Sequence, residues 1–376
     1  MLVELAGGAG SRVLDWAPCS ISTTLTGNRR LSTVAHPGIA SRLAHGMRSV
    51  FNSPPAALIA RRAARHRLVV LCYHDLRADD DFSSWLRVSV SDFRSHLGAL
   101  ASLGRFVSPS ALEADATWSE SGWQFLITFD DGYLNNLTMA VPVLEEFSAP
   151  ALFFVSTGHL VSGEPFWFDR LVTRIQSARL RSLDLSRFGL RHYAFAAEDG
   201  TDRWDHIEAV LSDVKRLGNP GHPDVDRLLA HMDAEYGGMA AAADARLRPL
   251  RPDELRTMAK SPVVHVGSHG HRHEILTRLD ERALDTALTR SKAILEDLMG
   301  RPVNAIAYPN GDSDRRVSDA CAVAGYRRGY AARAGLVGAG SDVWQLPRIL
   351  IGGYDSARTL TRRINEVACR GVVGRA

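Results

Sequence analysis

Seven short apolar runs recur along the chain, at Leu68–Cys72, Phe125–Phe129, Ala151–Val155, Val263–Val266, Ala305–Ala307, Tyr330–Ala332 and Leu346–Ile351. Each is too short for a helix, and stretches of helical spacing or turn signals separate them, the pattern of buried parallel strands in βα units. Val90–Leu103 is one helical stretch: Phe93, Leu97 and Leu100 share a face, and Ser91 is the expected cap. Ala283–Leu298 is another, with Leu284, Leu288, Ile294 and Leu298 as its apolar positions. Seven such strands predict a complete or partial β/α barrel. Residues 161–250 break the rhythm. They open with Pro165-Phe166-Trp167-Phe168-Asp169, continue through charged helical stretches and turn at Gly218-Asn219-Pro220-Gly221. A helical insertion over the barrel mouth is expected there. The organisation is then an N-terminal extension over 1–66, partly disordered or helical, a barrel over 67–360 carrying the insertion, and a C-terminal tail over 361–376.

Side chains with chemistry fall just past the ends of these runs. His74 follows the first, Asp130 and Asp131 the second, His269 and His273 the fourth, and Pro309 the fifth. In parallel β/α barrels the active site is built at that end of the strands. Thr128-Phe129-Asp130-Asp131-Gly132 sets two carboxylates side by side. A regular strand would aim them at opposite faces, whereas a loop past the strand end turns both inward, and Gly132 permits the bend. Downstream, His269-Gly270-His271-Arg272-His273 places two imidazoles four residues apart. One carboxylate and two imidazoles hold a divalent metal with positions open for water and substrate. Adjacent acids push their protonation equilibria apart unless a cation sits beside one of them, so a metal on Asp131 leaves Asp130 as a base.

His265 and His271 crowd the same stretch, and sequence alone leaves the ligand set open. The four-residue spacing, one helical turn, favours His269 with His273. Taken singly, each motif also has a plainer reading. The paired acids are a solvated strand-end turn, Tyr308-Pro309-Asn310-Gly311 is a turn like most such tetrapeptides, and Arg348 is a surface charge. At a barrel mouth the Asn310 backbone N–H is instead a donor to a developing oxyanion, and Arg348 a group that orients a carboxylate.

Composition narrows the class. An apolar fraction of 45% and a charged fraction of 23% are ordinary for a globular chain, and a net charge of +3 gives no sign of a nucleic-acid partner. Cys19, Cys72, Cys321 and Cys369 lie far apart, which fits isolated thiols in a reducing compartment. No apolar run reaches the ~18 residues of a membrane span, and Glu4, Gly7, Gly8 and Gly10 interrupt any leader-like segment. A cytoplasmic protein is expected, with Met47 as an alternative start. From residue 47 to 67 basic and apolar residues mix, as in a helix touching a membrane surface or, with Pro54-Pro55 in the way, a solvated helix leading into the first strand.

The motifs together resemble the polysaccharide deacetylases of the NodB-homology type, carbohydrate esterase family 4. That family carries Thr-Phe-Asp-Asp-Gly, then His-Ser/Thr-x-x-His, then Arg-x-Pro-Tyr/Phe, on a distorted (β/α)7 barrel. Thr128–Gly132 matches the first motif in full, and His269–His273 the second with Gly270 in place of Ser/Thr. Only Pro309 of the third is kept, Ala307 standing where the arginine would be, and the late Leu-His motif is missing. Tyr73-His74 and Leu346-Pro347-Arg348-Ile349 instead match a subgroup with Tyr-His after the first strand and Leu-Pro-Arg-Ile near the end. The likeness spans roughly residues 68–155 and 250–355. It implies Asp130 as base, Asp131, His269 and His273 as metal ligands, Asn310 as oxyanion donor, His74 as acid and Arg348 as the group orienting the base. It also implies zinc, or else cobalt, nickel or iron(II), and hydrolysis of the N-acetyl group of an N-acetylhexosamine in a glycan, glycolipid or lipid-linked precursor. Phe166, Trp167 and Phe168 either stack on such a substrate or form the seam that docks the insertion. A deformylase or cyclic-amide hydrolase would keep every site residue, and a non-catalytic glycan-binding descendant would be expected to lose Asp130 or a ligand. A 2-His-1-carboxylate iron oxygenase would carry its acid at position 271, which is His.

Overall fold

The computed structural model describes residues 67–79, 86–112, 122–195 and 201–373. The extension 1–66, with Cys19, the Met47 start and the basic apolar stretch, lies outside them. In chain order the elements are β1 (Arg67–Tyr73), β2 (Asp75–Arg77), β3 (Arg87–Ser89), α1 (Val90–Leu103), β4 (Gly104–Phe106), β5 (Trp123–Phe129), α2 (Val141–Glu146) and β6 (Ala151–Val155). Then come α3 (Thr157–Ser162), α4 (Trp167–Ser177), β7 (Ser182–Asp184), β8 (His192–Ala194), α5 (Thr201–Leu217), α6 (Pro223–Arg246) and α7 (Pro252–Met258). The chain continues through β9 (Val264–Ser268), α8 (Glu281–Met299), β10 (Ala305–Ala307), α9 (Arg315–Val323), β11 (Arg328–Tyr330), β12 (Val337–Gly338), β13 (Ile349–Leu350) and α10 (Ala357–Val373).

The main sheet runs β11-β10-β9-β6-β5-β1, its strands all parallel, and short pieces join its two edges. On the outer edge of β1, β12 pairs antiparallel at the start and β13 parallel at the end. The segment entering β13 also reaches β11: Leu346 bridges Tyr330, and the Ala331 amide donates to the Leu346 carbonyl at 2.9 Å. Residues 346–350 therefore span the gap between first and last strands. The mixed, partly closed barrel agrees with the expected NodB-type architecture.

Strand alternation sorts the side chains into two cores. Leu68, Val70, Leu126, Leu152, Phe154, Ala307, Tyr330 and Leu346 fill the inside of the curl. Val69, Leu71, Tyr73, Phe125, Ile127, Phe129, Phe153 and Val155 belong to the other core, which they share with helix residues such as Phe93, Leu97, Leu284 and Leu288. All are nearly inaccessible, and burying one such large apolar side chain is worth about 1.5–3 kcal/mol.

Several boundaries differ from the sequence reading. Helix α1 covers the expected residues, but its cap is Ser89, whose hydroxyl accepts from the Asp92 amide at 3.0 Å, two residues before the expected Ser91. Residues 161–250 are not helical throughout: β7 and β8 pair antiparallel, Leu183 opposite Tyr193. With α4, α5 and α6 they enclose a core of their own, including Trp167, Leu171, Trp204, Ile207, Leu228 and Met232. The stretch read as the barrel's end and a tail is one helix, α10, which buries Leu360, Ile364 and Ala368 in the barrel's helical layer.

Candidate active site

Every sequence-flagged reactive side chain except Arg348 does lie past a strand end: His74 beyond β1, Asp130 and Asp131 beyond β5, His269 and His273 beyond β9, and Asn310 in a tight turn beyond β10. The two aspartates diverge through the backbone. The Asp130 amide donates to the Tyr73 carbonyl at 2.9 Å, and the chain then folds back sharply, the Gly132 amide donating to the Asp130 carbonyl at 2.9 Å. Asp131 sits in the left-handed region with φ 74° and Gly132 follows at φ 87°. A Cβ on Gly132 would press within 3.0 Å of Val155, so both shape and space call for glycine.

Asp131, His269 and His273 converge. The two Nε2 atoms lie 3.5 and 3.4 Å from Asp131 Oδ1, and the rings meet edge to face with centroids 5.0 Å apart. The pairing expected from spacing is thus present, but a loop makes it, not a helical turn: Gly270 has φ 73° and His273 φ 57°. His271 points elsewhere, its Nδ1 2.9 Å from Thr157 Oγ1, and His265 Nε2 sits 3.3 Å from Ser108.

Three observations fit this triad to a divalent metal. Asp131 Oδ1 is buried and has no hydrogen-bond partner, an expensive state for a carboxylate oxygen. Burial, then the charges of Asp130 and Asp169, push the Asp131 carboxyl well above the ordinary range, a penalty that a bound cation would relieve. Third, His269 Nδ1 lies 2.9 Å from the Ala307 carbonyl, which selects the tautomer that leaves Nε2 as a free ligand. Burial also pushes both imidazoles down, toward the neutral form that binds metal.

Asp130 is held differently. Arg348 donates Nη1 to Oδ1 at 2.6 Å and Nη2 to Oδ2 at 2.8 Å, a bidentate fork, and Cys72 Sγ donates to Oδ2 at 3.4 Å. Burial alone would raise the Asp130 carboxyl, but Arg348, His269 and His74 outweigh it and hold it well below the usual carboxylate range. Arg348 is itself fixed, Nε donating to the Ala331 carbonyl at 3.0 Å and Nη1 reaching Thr128 Oγ1 at 3.3 Å. The surface-charge reading of Arg348 is therefore wrong: it is 1% exposed.

His74 Nε2 stands 4.0 Å from Asp130 Oδ2, and its Nδ1 is buried without a partner. Burial is the main reason that its pKa falls to about 4, the Asp130 charge only partly compensating. Asn136 donates to the His74 carbonyl at 2.9 Å from a π-helical turn, Asn136–Ala140, which ties the chain after β5 to the chain after β1.

The insertion contributes a wall and a cation. Phe166 and Phe168 pack on the His273 ring with centroids 5.8 and 5.2 Å away. Lys215, from the last turn of α5, donates to Asn310 Oδ1 at 2.5 Å. Nothing in the sequence marks Lys215, because a single lysine in a charged helix carries no signal of its partner.

A polysaccharide deacetylase family model matches residues 225–329, a span that holds His269, His273 and Asn310 but not the paired aspartates or Arg348. None of the curated proteins matches the chain. Among solved structures, the Streptococcus pyogenes deacetylase PplD in complex with acetate is similar at 16% identity, covering 80% of this chain and 99% of its own, with a TM-score of 0.51. IcaB from Ammonifex degensii is similar at 20% identity, covering 80% and 97%, with a TM-score of 0.50. Family-model match and fold point the same way: residues 225–329 are similar to the polysaccharide deacetylase family, and the fold is the one these two solved structures share.

Proposed function

We propose that this chain is a metal-dependent N-deacetylase, a hydrolase that removes the acetyl group from an N-acetylhexosamine in a glycan, a glycolipid or a lipid-linked precursor. One observation carries the reading. A carboxylate kept ionised by a buried arginine stands next to a second carboxylate grouped with two imidazoles, so a base and a ligand set occupy neighbouring residues. Asp131, His269 and His273 are the proposed ligands. A divalent ion bound there, zinc by default with cobalt, nickel or iron(II) also compatible, supplies Lewis acidity that polarises the acyl oxygen and makes water acidic.

The remaining chemistry falls to the chain's own side chains. Asp130, ionised and oriented by Arg348, takes a proton from the attacking water. The Asn310 backbone N–H donates to the oxyanion that develops on the former carbonyl oxygen. His74 delivers a proton to the departing amine. Because burial keeps His74 neutral at rest, that proton is acquired during turnover, and Asp130, 4.0 Å away, is the neighbouring carboxylate able to pass it on. Water adds across the amide, the C–N bond breaks, and acetate and a free amine leave.

No described helix is long and apolar enough to cross a membrane. A soluble or membrane-borne sugar could reach the same site, with the basic stretch after Met47 as a peripheral contact. The test is acetate release from N-acetylhexosamine oligomers and lipid-linked sugars, run with zinc-loaded wild type, chelator-treated protein and Asp130→Asn. Acetate that disappears in both controls supports the reading. Formate release from an N-formyl analogue without acetate release would move the activity to a deformylase, and tight zinc binding without hydrolysis of any amide would leave a glycan-binding role.

A further inference from the structure

Asp131, His273 and Asn310 all adopt left-handed backbone conformations, with φ of 74°, 57° and 61°. For residues with a side chain such conformations cost of the order of 1–3 kcal/mol and persist where the surroundings fix them. The barrel fixes Asp131: the Gly132 amide closes the turn, and the Ser156 amide donates to the Asp131 carbonyl at 3.2 Å. The two other loops also bond to barrel backbone, and each takes further bonds from the insertion. Asn219 exchanges two hydrogen bonds with Ile275, two residues past His273: its Oδ1 accepts from the Ile275 amide at 2.9 Å and its Nδ2 donates to the Ile275 carbonyl at 3.4 Å. Arg278, on the same loop, donates to the Lys215 carbonyl at the end of α5. Lys215 Nζ meanwhile holds Asn310 Oδ1 at 2.5 Å, while Asn310 Nδ2 donates to Asp312 Oδ2 at 2.7 Å. The segment 215–219 thus bonds to both the loop that carries His273 and the turn that carries Asn310.

We infer that Lys215 is a positioning residue of the active site, supplied by the insertion, which sets the orientation of the Asn310 turn and with it the backbone N–H offered to the reacting acyl oxygen. The inference rests on the oxyanion role proposed for Asn310. Without Lys215, the Asn310 side chain keeps only its bond to Asp312, which lies in the same loop and moves with it. The Lys215 ammonium anchors that loop from a separate element with a separate core, so the insertion is part of the catalytic geometry and more than a cover. A donor displaced by about 1 Å from its acceptor position forfeits on the order of 100-fold in rate.

The experiment compares wild type, Lys215→Met and Lys215→Arg, all zinc-loaded, by steady-state acetate release and by hydrogen–deuterium exchange of peptides covering 308–314. Lys215→Met is expected to lower kcat about 10- to 100-fold with KM within about twofold, and to speed exchange across 308–314. Lys215→Arg, which retains a cationic donor, should recover part of kcat and part of the protection. A Lys215→Met enzyme with wild-type kcat, or with unchanged exchange across 308–314, overturns the inference. If wild type releases no acetate, the deacetylase reading falls by itself. The exchange measurement then decides only whether Lys215 anchors the Asn310 turn, loss of protection supporting that anchoring and unchanged protection overturning it.

Discussion

Arg348 grips both oxygens of Asp130, at 2.6 and 2.8 Å, across 218 residues of sequence and at a point where neither side chain is more than 4% exposed. The arginine enters on the segment that spans the barrel's two edges, so barrel closure and orientation of the proposed base are one event. Arg348→Lys keeps a positive charge but loses the planar fork, and it is expected to lower kcat on the order of 10- to 100-fold with little change in KM. Arg348→Met strands a buried carboxylate and is expected to cost about 3–5 kcal/mol of stability. The sign of the pH dependence follows from the depressed Asp130 carboxyl. Its stabilisation is full above the unfolded carboxylate value of about 4 and is lost as pH falls through the lower folded value. Melting temperatures measured from pH 2 to 7 should therefore show the widest gap between wild type and Arg348→Met above pH ~4, closing in stronger acid. A gap independent of pH would mean that the ion pair is not its source.

Zinc binding separates the proposed ligands from the neighbouring histidines. Wild type should take up a single equivalent and melt higher, by the equivalent of about 2.7 kcal/mol when free zinc is 100 times Kd. Asp131→Asn and His273→Ala should lose both the uptake and the thermal shift. His271→Ala should keep both, because His271 is engaged with Thr157 and stands outside the ligand group. Calorimetric titration of the four proteins checks this, and loss of binding in His271→Ala would redraw the site.

The parts of the site that were legible in the sequence are those whose meaning is local. Asp130, Asp131, His269 and His273 could be placed because each follows an apolar run, and the end of a parallel strand is where such side chains gather. Their conformations were less legible. The four-residue spacing suggested a helical turn, yet left-handed Gly270 and His273 bring the imidazoles together in a loop. Arg348 looked like a surface charge on local evidence, since its partner lies on the far side of the barrel sequence and only a motif resemblance connected the two. Lys215 was silent for the same reason. The C-terminal helix was readable in principle: Leu360, Ile364 and Ala368 recur every four residues, and all three are buried.

His74 should make stability fall in mild acid. Its folded pKa of about 4 lies below the ordinary histidine value of about 6.5, so the neutral ring belongs to the folded state. Its contribution is complete above pH ~6.5 and is lost as pH drops toward 4, at most about 3 kcal/mol for a shift of this size. His74→Gln cannot titrate, and denaturant unfolding at pH 7.0 and 4.5 should show a smaller loss for the variant than for wild type. Equal losses would assign the acid sensitivity to other groups. The same variant should lose kcat in acetate release, and full kcat would remove His74 from the proton path.

Phe166 and Phe168 divide the two readings of the aromatic triplet between stability and the site. Phe166 is fully buried, stacked with Phe168 at 5.2 Å and packed on Tyr133 at 5.4 Å, while Trp167 belongs to the insertion's own core. Phe166→Ala should therefore cost about 3–5 kcal/mol, as expected for an emptied aromatic position. Phe168 is only partly buried, and its ring meets the edge of the His273 imidazole at 5.2 Å. Truncating it removes a wall that fixes a proposed ligand, so Phe168→Ala should weaken zinc binding about 10-fold at smaller cost in stability. If Phe168 serves instead as a stacking surface for a sugar ring, KM rises and zinc affinity does not move. Zinc titration beside KM for the best N-acetylated substrate decides between a residue that shapes the ligand set and one that meets the glycan.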